Sequence, residues 1–98
     1  MDDEQARRIA EQIAQGHAFQ DHVLDNDEFP EIRTREEFAQ LIREVLTDGS
    51  SSVKLLTHGR EAYWSEVHRT IVILDSSNED AGTAFRPFRG RAYFRGLI

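Results

Sequence analysis

The sequence predicts an α+β fold in which helices precede an antiparallel sheet, because its hydrophobic periodicity changes once along the chain. Before residue 48, apolar residues recur at the three- and four-residue spacing of helices. After residue 53, short runs rich in β-branched and aromatic residues replace them, as in strands. At about 150 residues per domain, the 98 residues are expected to form a single domain over 1–98, with a helical part at about 2–48 and a sheet part at about 53–98.

Two helices are predicted in the first half. The first spans Asp2–Gln15, where alanines and isoleucines have helical spacing, acidic residues fill the first turn and Gly16 provides a stop. The second begins at Thr34, which forms a capping-box pattern with Glu37, and an apolar stripe continues to Leu46. Between them, 17–24 has apolar periodicity without a definite secondary structure, and the acidic stretch 25–32 is predicted to be a loop.

Strands are predicted in the second half at Val53–Leu56, Glu61–Trp64 and Thr70–Leu74, joined by tight connections. The run Thr70–Leu74 is apolar on both faces, which predicts a central strand. Thr83–Arg86 and Arg91–Phe94 are predicted as one or two further strands.

Charge is distributed unevenly along the chain. The net charge is -6, but residues 1–48 carry five Arg against thirteen Asp and Glu, whereas the last sixteen residues carry four Arg and no acid. The acidic half disfavours non-specific duplex binding, and DNA is not expected as a partner. The basic C-terminal segment still permits a local site for an anion.

Composition excludes several other classes of site. The chain has no cysteine, so it forms no disulfide, thiolate zinc site or cysteine nucleophile. No apolar run is long enough to span a membrane, and the acidic N-terminus predicts no signal peptide. The four histidines lack metal-ligand spacing and no glycine-rich phosphate loop is present, so neither a metal nor a cofactor is expected.

The remaining chemistry-bearing residues are of the types that metal-free RNA cleavage requires. A histidine can move a proton near neutral pH, an arginine can bind two phosphate oxygens, and an aromatic ring can stack on a base. Candidates of these types are His22, Arg60, Thr83, Arg86, Tyr93 and Phe94. Each also has a structural interpretation: for example, His22 could be a packing residue and Arg60 a solvated turn residue.

Six strings, taken in order, resemble one family. They are Gly16–Val23 (GHAFQDHV), Glu28–Ile42 (EFPEIRTREEFAQLI), Gly59–Trp64 (GREAYW), Thr70–Leu74 (TIVIL), Gly82–Pro87 (GTAFRP) and Gly90–Phe94 (GRAYF). As a spaced set from about Gly16 to the end, they are similar to C-terminal toxin domains of bacterial contact-dependent and polymorphic secreted toxins, and to related phage domains. Those domains are grouped with the barnase–EndoU–colicin–RelE ribonuclease superfamily.

The resemblance implies helices packed on an antiparallel sheet of about four strands. It also implies a metal-independent ribonuclease in which the ribose 2′-OH attacks the phosphate and leaves a 2′,3′-cyclic end. The positions that match are His17 or His22, Arg60, Thr83 and Arg86. One departure is that such domains often carry a lysine beside the histidine, where this chain has Asp21.

We therefore expect catalytic roles at His22, Arg60, Thr83, Arg86 and His17, with His22 preferred because packing can fix its ring. Tyr93, Arg91 and Arg89 are the expected substrate-binding residues. The alternatives are that His17 only caps the first helix, and that Arg89 and Arg91 belong to a solvated face.

Two functional hypotheses follow. The first is a toxin-like endoribonuclease that cleaves RNA, with tRNA as one candidate, and that acts in the cytoplasm, where a larger secreted toxin would deliver it. A cognate immunity protein would then be a partner. The alternative is a non-catalytic interaction module, or an inactivated toxin-like domain, that docks a protein through its acidic helical half.

Overall fold

The computed structural model of the protein, which describes residues 1–98, places the main helices before an antiparallel sheet. The helical half contains α1 (Asp3–Gln15), a π-helix (Phe19–Asp25) and α2 (Arg35–Thr47). The second half contains β1 (Ser52–Leu55), a 3₁₀ turn (Thr57–Gly59), β2 (Glu61–Ser65), β3 (Thr70–Leu74), β4 (Gly82–Phe85) and a short helix α3 (Arg91–Gly96). The α+β prediction is confirmed, including the four-stranded antiparallel sheet.

A capping residue fixes the start of each of the two long helices. Asp2 caps α1, because its carboxylate accepts the Glu4 N–H at 2.8 Å. Thr34 and Glu37 form the predicted capping box on α2, with bonds of 3.0 and 3.1 Å in the two directions. Each pair satisfies backbone N–H groups that have no partner inside the helix, so local sequence fixes both starts.

The sheet is an antiparallel meander in the order β1-β2-β3-β4, so β3 lies inside it as predicted. Its register pairs Ile71 with Phe85 and Leu74 with Gly82. The strands have two ends that matter below. We call the one at which β4 begins the Gly82 end of the sheet, and the one at which β4 finishes the Phe85 end. A Cβ atom at Gly82 would lie 1.9 Å from the carbonyl oxygen of Ile73, and φ is +144°, so only glycine fits this close pairing.

Two apolar clusters cover the two faces of the sheet. The larger one joins α1, the π-helix and α2 to one face and includes Phe38, which is fully buried. Burying a side chain of this size contributes about 1.5–3 kcal/mol. The smaller cluster lies on the other face and consists of Leu56, Ala62, Trp64, Ile71 and Phe94.

The prediction of a strand at Arg91–Phe94 is wrong, because these residues begin α3. The chain leaves β4 through a turn in which the Gly90 N–H donates to the Pro87 carbonyl at 3.0 Å, and Gly90 has φ +57°. Helical geometry then brings Phe94 into the smaller cluster. The helical part of the fold therefore does not end at residue 48.

The segment whose structure the sequence left open forms the π-helix. Its Phe19 and Val23 side chains are buried in the larger cluster. At its start His17 contacts Asp80, just before β4, and further along His22 contacts Phe85, at the end of β4. The segment thus runs beside β4 and holds His22 at the Phe85 end of the sheet. π-Helical turns are frequently found at functional sites.

Candidate active site

His22 is paired with a carboxylate that the sequence analysis did not single out. Its Nδ1 lies 2.7 Å from Oε2 of Glu28, and both side chains are mostly buried, with 23% and 19% of their surface exposed. The His22 ring also packs against Phe85, with ring centroids 5.6 Å apart. The imidazole is therefore fixed in position by one hydrogen bond and one aromatic contact.

The Glu28 carboxylate determines which nitrogen of His22 carries the proton. Its Oε1 accepts the Arg86 N–H at 2.8 Å, and its Oε2 also accepts from the Asn26 amide at 3.3 Å. Because an ionised carboxylate can only accept hydrogen bonds, Nδ1 of His22 is the donor in the 2.7 Å pair. Nε2 then carries the free lone pair of the neutral ring, and it has no protein partner. A histidine held in this way can take or return a proton at Nε2.

The Arg86 guanidinium is already bound within the protein and is not free to bind a phosphate. Its guanidinium binds both oxygens of Glu31, at 2.8 and 2.5 Å, and lies 4.4 Å from the centre of the Phe29 ring. It also donates to the carbonyl oxygens of Glu28, at 3.3 Å, and His68, at 3.0 Å. Arg86 therefore ties the loop before α2 to the sheet, and a phosphate would have to displace Glu31 to reach it.

The same ion pair changes the acidity of Glu31. The hydrogen bond from Arg86 lowers the pKa of the Glu31 carboxyl below its ordinary value. Glu31 is half exposed, with 52% of its side-chain surface accessible, whereas Arg86 is 20% exposed. The carboxylate therefore stays charged in mildly acidic solution and keeps Arg86 in place.

A shallow cleft of about 390 Å³ opens beside the His22–Glu28 pair. It is lined by Glu28, Phe85, Arg86, Pro87, Phe88, Arg89 and Tyr93. Phe85 forms part of its wall and meets Tyr93 edge-on, with ring centroids 5.5 Å apart. The cleft thus combines Glu28, the partner of His22, with three aromatic side chains and Arg89.

Of the three residues expected to bind substrate, two line this cleft. Tyr93 is 45% exposed, and the Arg89 guanidinium makes no ion pair or hydrogen bond within the chain. Arg91 instead pairs with Glu66 at 3.0 Å and does not line the cleft. Arg91 therefore fits the interpretation as a residue of a solvated face, whereas Arg89 lies where a substrate could contact it.

Arg60 lies at the Gly82 end of the sheet, away from this cleft. It precedes Glu61, which pairs with Leu74 and through it with Gly82. By this register Arg60 is level with residue 81, and Arg86 lies five residues further along, or about 17 Å at 3.4 Å per residue. The Arg60 side chain donates to the Thr57 and Ile98 carbonyl oxygens, both at 3.2 Å. One phosphate cannot contact Arg60 and Arg86 together in this arrangement.

Thr83 lies within β4 and does not line the cleft. The Oγ1 atom is buried and has no hydrogen-bond partner. An unpartnered buried hydroxyl costs free energy, because it loses water without replacing it. The structure therefore does not bring Thr83 together with His22 as a phosphate-positioning group.

His17 makes a separate pair with Asp80. Its Nδ1 lies 2.5 Å from Oδ2 of Asp80, and this bond lowers the pKa of the Asp80 carboxyl. The His17 ring is about half exposed. Arg35, rather than His17, binds the end of α1: its guanidinium donates to the Ala14 carbonyl at 2.7 Å. His17 and His22 therefore have different carboxylate partners, Asp80 and Glu28.

The two glutamates that organise the site were not among the residues predicted from the sequence. Glu28 and Glu31 fall in a stretch predicted to be an acidic loop, and no periodic pattern links them to partners at 22 and 86. The only signal was that the string Glu28–Ile42 belonged to the family resemblance. Pairing across such separations is decided by the path of the chain around β4.

No family model matches the chain, and no curated protein matches it in sequence. The resemblance to toxin domains therefore stays a prediction, and functional inference rests on the side chains themselves. No three His, Asp or Glu side chains are grouped as metal ligands. None of the helices combines the length and apolar character needed to cross a bilayer.

Proposed function

We propose that the protein is an endoribonuclease in which His22 is the general base or acid and Glu28 is its positioning residue. The observation that carries the proposal is the 2.7 Å bond between His22 Nδ1 and Glu28, which leaves Nε2 without a protein partner. Glu28 and Phe85, the two side chains that hold the ring, line the cleft that contains Arg89 and Tyr93. The resemblance to ribonuclease toxin domains supports the same chemistry.

In the proposed reaction, Nε2 of His22 takes the proton from a ribose 2′-OH. The 2′ oxygen attacks the adjacent phosphorus, the bond to the 5′ oxygen of the next nucleotide breaks, and a 2′,3′-cyclic phosphate forms. The leaving oxygen receives a proton from water or from the imidazolium. Arg89, the arginine of the cleft whose guanidinium has no partner in the chain, would stabilise the charge that develops on the phosphate.

Glu28 supports this role without contacting the substrate. Its carboxylate holds the imidazole in one tautomer and stabilises the positive charge that appears on the ring when Nε2 is protonated. Arg86 in turn fixes Glu28 through its backbone N–H. Arg86 therefore has a structural role in the proposed mechanism, and Arg60 takes no part in the reaction.

The proposed function also includes a substrate, a site of action and a protein inhibitor. RNA, with tRNA as one candidate, is the proposed substrate, the cytoplasm of a target cell is the proposed site of action, and a cognate immunity protein is the proposed inhibitor. The family resemblance supports these three points, and the basic C-terminal segment supports an anionic substrate.

The test is cleavage of single-stranded RNA by the purified chain in excess chelator, followed by detection of 2′,3′-cyclic ends. Substituting His22→Ala should lower kcat/KM by about 10²–10⁴-fold, the usual contribution of general acid–base catalysis. His17→Ala is the matched control and should lose much less. The rate of the parent should vary between about pH 5 and 8, where histidines titrate.

A second variant separates positioning from folding. Glu28→Gln retains a hydrogen-bond acceptor but removes the charge, so it should lower kcat more than it raises KM and should shift the pH–rate profile. Absence of RNA cleavage by the parent, an essential requirement for magnesium, or full activity of His22→Ala would overturn the proposal. The non-catalytic alternative predicts no cleavage at any pH.

A further inference from the structure

Phe88 is the most exposed large apolar side chain of the molecule, with a relative exposure of 105%. It follows Pro87 at the tip of the turn that the Gly90 N–H closes onto the Pro87 carbonyl. A closed turn containing proline holds the backbone in one conformation. The ring therefore projects into water from a fixed base.

The surroundings of Phe88 differ from those of an isolated exposed side chain. The ring lies between two shallow clefts, because Arg86, Pro87 and Phe88 line both of them. One is the 390 Å³ cleft beside His22 and Glu28; the other, of about 370 Å³, is lined also by Val67, His68 and Arg69. A flat ligand stacked on Phe88 would thus also meet residues that line these clefts.

Charge around the ring favours an anionic ligand. Arg89 follows Phe88 directly and has no partner within the chain, and residues 83–98 contain no acid. Glu28 is the only carboxylate that lines either cleft, and its oxygens are already bound by His22 and the Arg86 N–H. Glu31, which pairs with Arg86, is neutralised by that guanidinium. An aromatic ring beside a free cation suits a nucleotide, whose base can stack while its phosphate meets the arginine.

We propose that Phe88 is a stacking platform for one base of single-stranded RNA and that Arg89 binds a phosphate next to that base. This inference rests on the proposed ribonuclease function and specifies its substrate as single-stranded. A duplex hides the faces of its bases, so it cannot use Phe88. The acidic helical half, with thirteen acids against five arginines, also disfavours the long backbone contact that a duplex would make.

The experiment measures binding separately from cleavage. A fluorescein-labelled single-stranded RNA with 2′-O-methyl riboses lacks the attacking hydroxyl, so its affinity can be measured by anisotropy without turnover. Phe88→Ala should raise Kd by about 5- to 150-fold, the range for loss of one base–aromatic stack. Phe88→Trp should restore binding, since it keeps a ring, and Leu55→Ala, an exposed apolar residue on β1, should change Kd less than twofold.

Arg89 has its own measurement. Arg89→Ala should weaken binding and reduce the slope of log K against log salt by about 0.7, the value for one phosphate contact in a single strand. Arg8→Ala, which removes an exposed arginine from α1, should leave the slope unchanged. A duplex of the same sequence should bind more weakly than the single strand.

The inference is overturned if Phe88→Ala binds the oligonucleotide as tightly as the parent, if Phe88→Trp fails to restore affinity, or if the duplex binds equally well. The first result is expected if the Phe88 surface docks a protein instead. Failure of the proposed function appears differently: the parent would bind the uncleavable strand through Phe88 but leave unmodified RNA intact.

Discussion

Replacing Arg86 with alanine should destabilise the fold, because its guanidinium joins the loop before α2 to the sheet. The substitution removes the two bonds to Glu31, the bonds to the Glu28 and His68 carbonyl oxygens, and the contact with Phe29. Hydrogen bonds to a charged group contribute about 1.5–3 kcal/mol, and a partly buried cation–π contact about 0.5–2 kcal/mol. Half of Glu31 is in water, which reduces its part. These contributions are not additive, and we expect a total loss of about 3 kcal/mol.

The loss can be measured by urea unfolding followed by circular dichroism, and by the thermal midpoint. For a domain of about 100 residues, 3 kcal/mol corresponds to a fall in Tm of about 12–24 °C. Arg89→Ala is the matched control: its guanidinium has no partner, and its effect should stay within about 0.5 kcal/mol. Arg86→Lys should fall between the two, because lysine keeps the charge but not the two-pronged bond to Glu31. If Arg86→Ala is as stable as the parent, the guanidinium does not hold the fold together, and the phosphate-binding role that the sequence suggested for it would become the better explanation.

Two further predictions concern Glu31 and the buried hydroxyls. The bond from Arg86 lowers the pKa of folded Glu31 below its ordinary value of about 4.5. The ion pair contributes at most about 1 kcal/mol to stability, because the pair is half exposed. This contribution is complete above pH 4.5 and is lost as the pH falls through the lowered pKa. Glu31→Gln should therefore flatten the acid limb of a urea-unfolding series, and an unchanged limb would contradict this assignment. Thr83→Val removes a buried hydroxyl without a partner and should be neutral or stabilising by up to about 1 kcal/mol. Thr70→Val removes a hydroxyl that donates to the His68 carbonyl at 2.8 Å and should cost about 1–2 kcal/mol; equal effects of the two substitutions in thermal unfolding would refute the difference.

The sequence by itself determined those helices and strands whose start signal or apolar pattern lies within a few consecutive residues. The capping box at Thr34 and the apolar stripe after it predicted α2, because a helix start needs partners for its free N–H groups. The two-sided apolar run Thr70–Leu74 predicted an interior strand, since only such a strand is covered on both faces. The wrong prediction of a strand at Arg91–Phe94 also comes from a local pattern. The alternation of side chains over these four residues is too short to distinguish a strand from a helical turn that buries Phe94.

Tertiary structure alone decided which side chains meet. Histidine, arginine and threonine of suitable type were evident in the sequence, but the strand register places Arg60 and Arg86 at opposite ends of the sheet. The path of the π-helix beside β4 brings His22 to Glu28 and Phe85, and the loop before α2 brings Glu31 to Arg86 across 55 positions of the chain. Residue type and spacing follow from local backbone geometry, whereas such contacts depend on how separate elements pack, which no local pattern records.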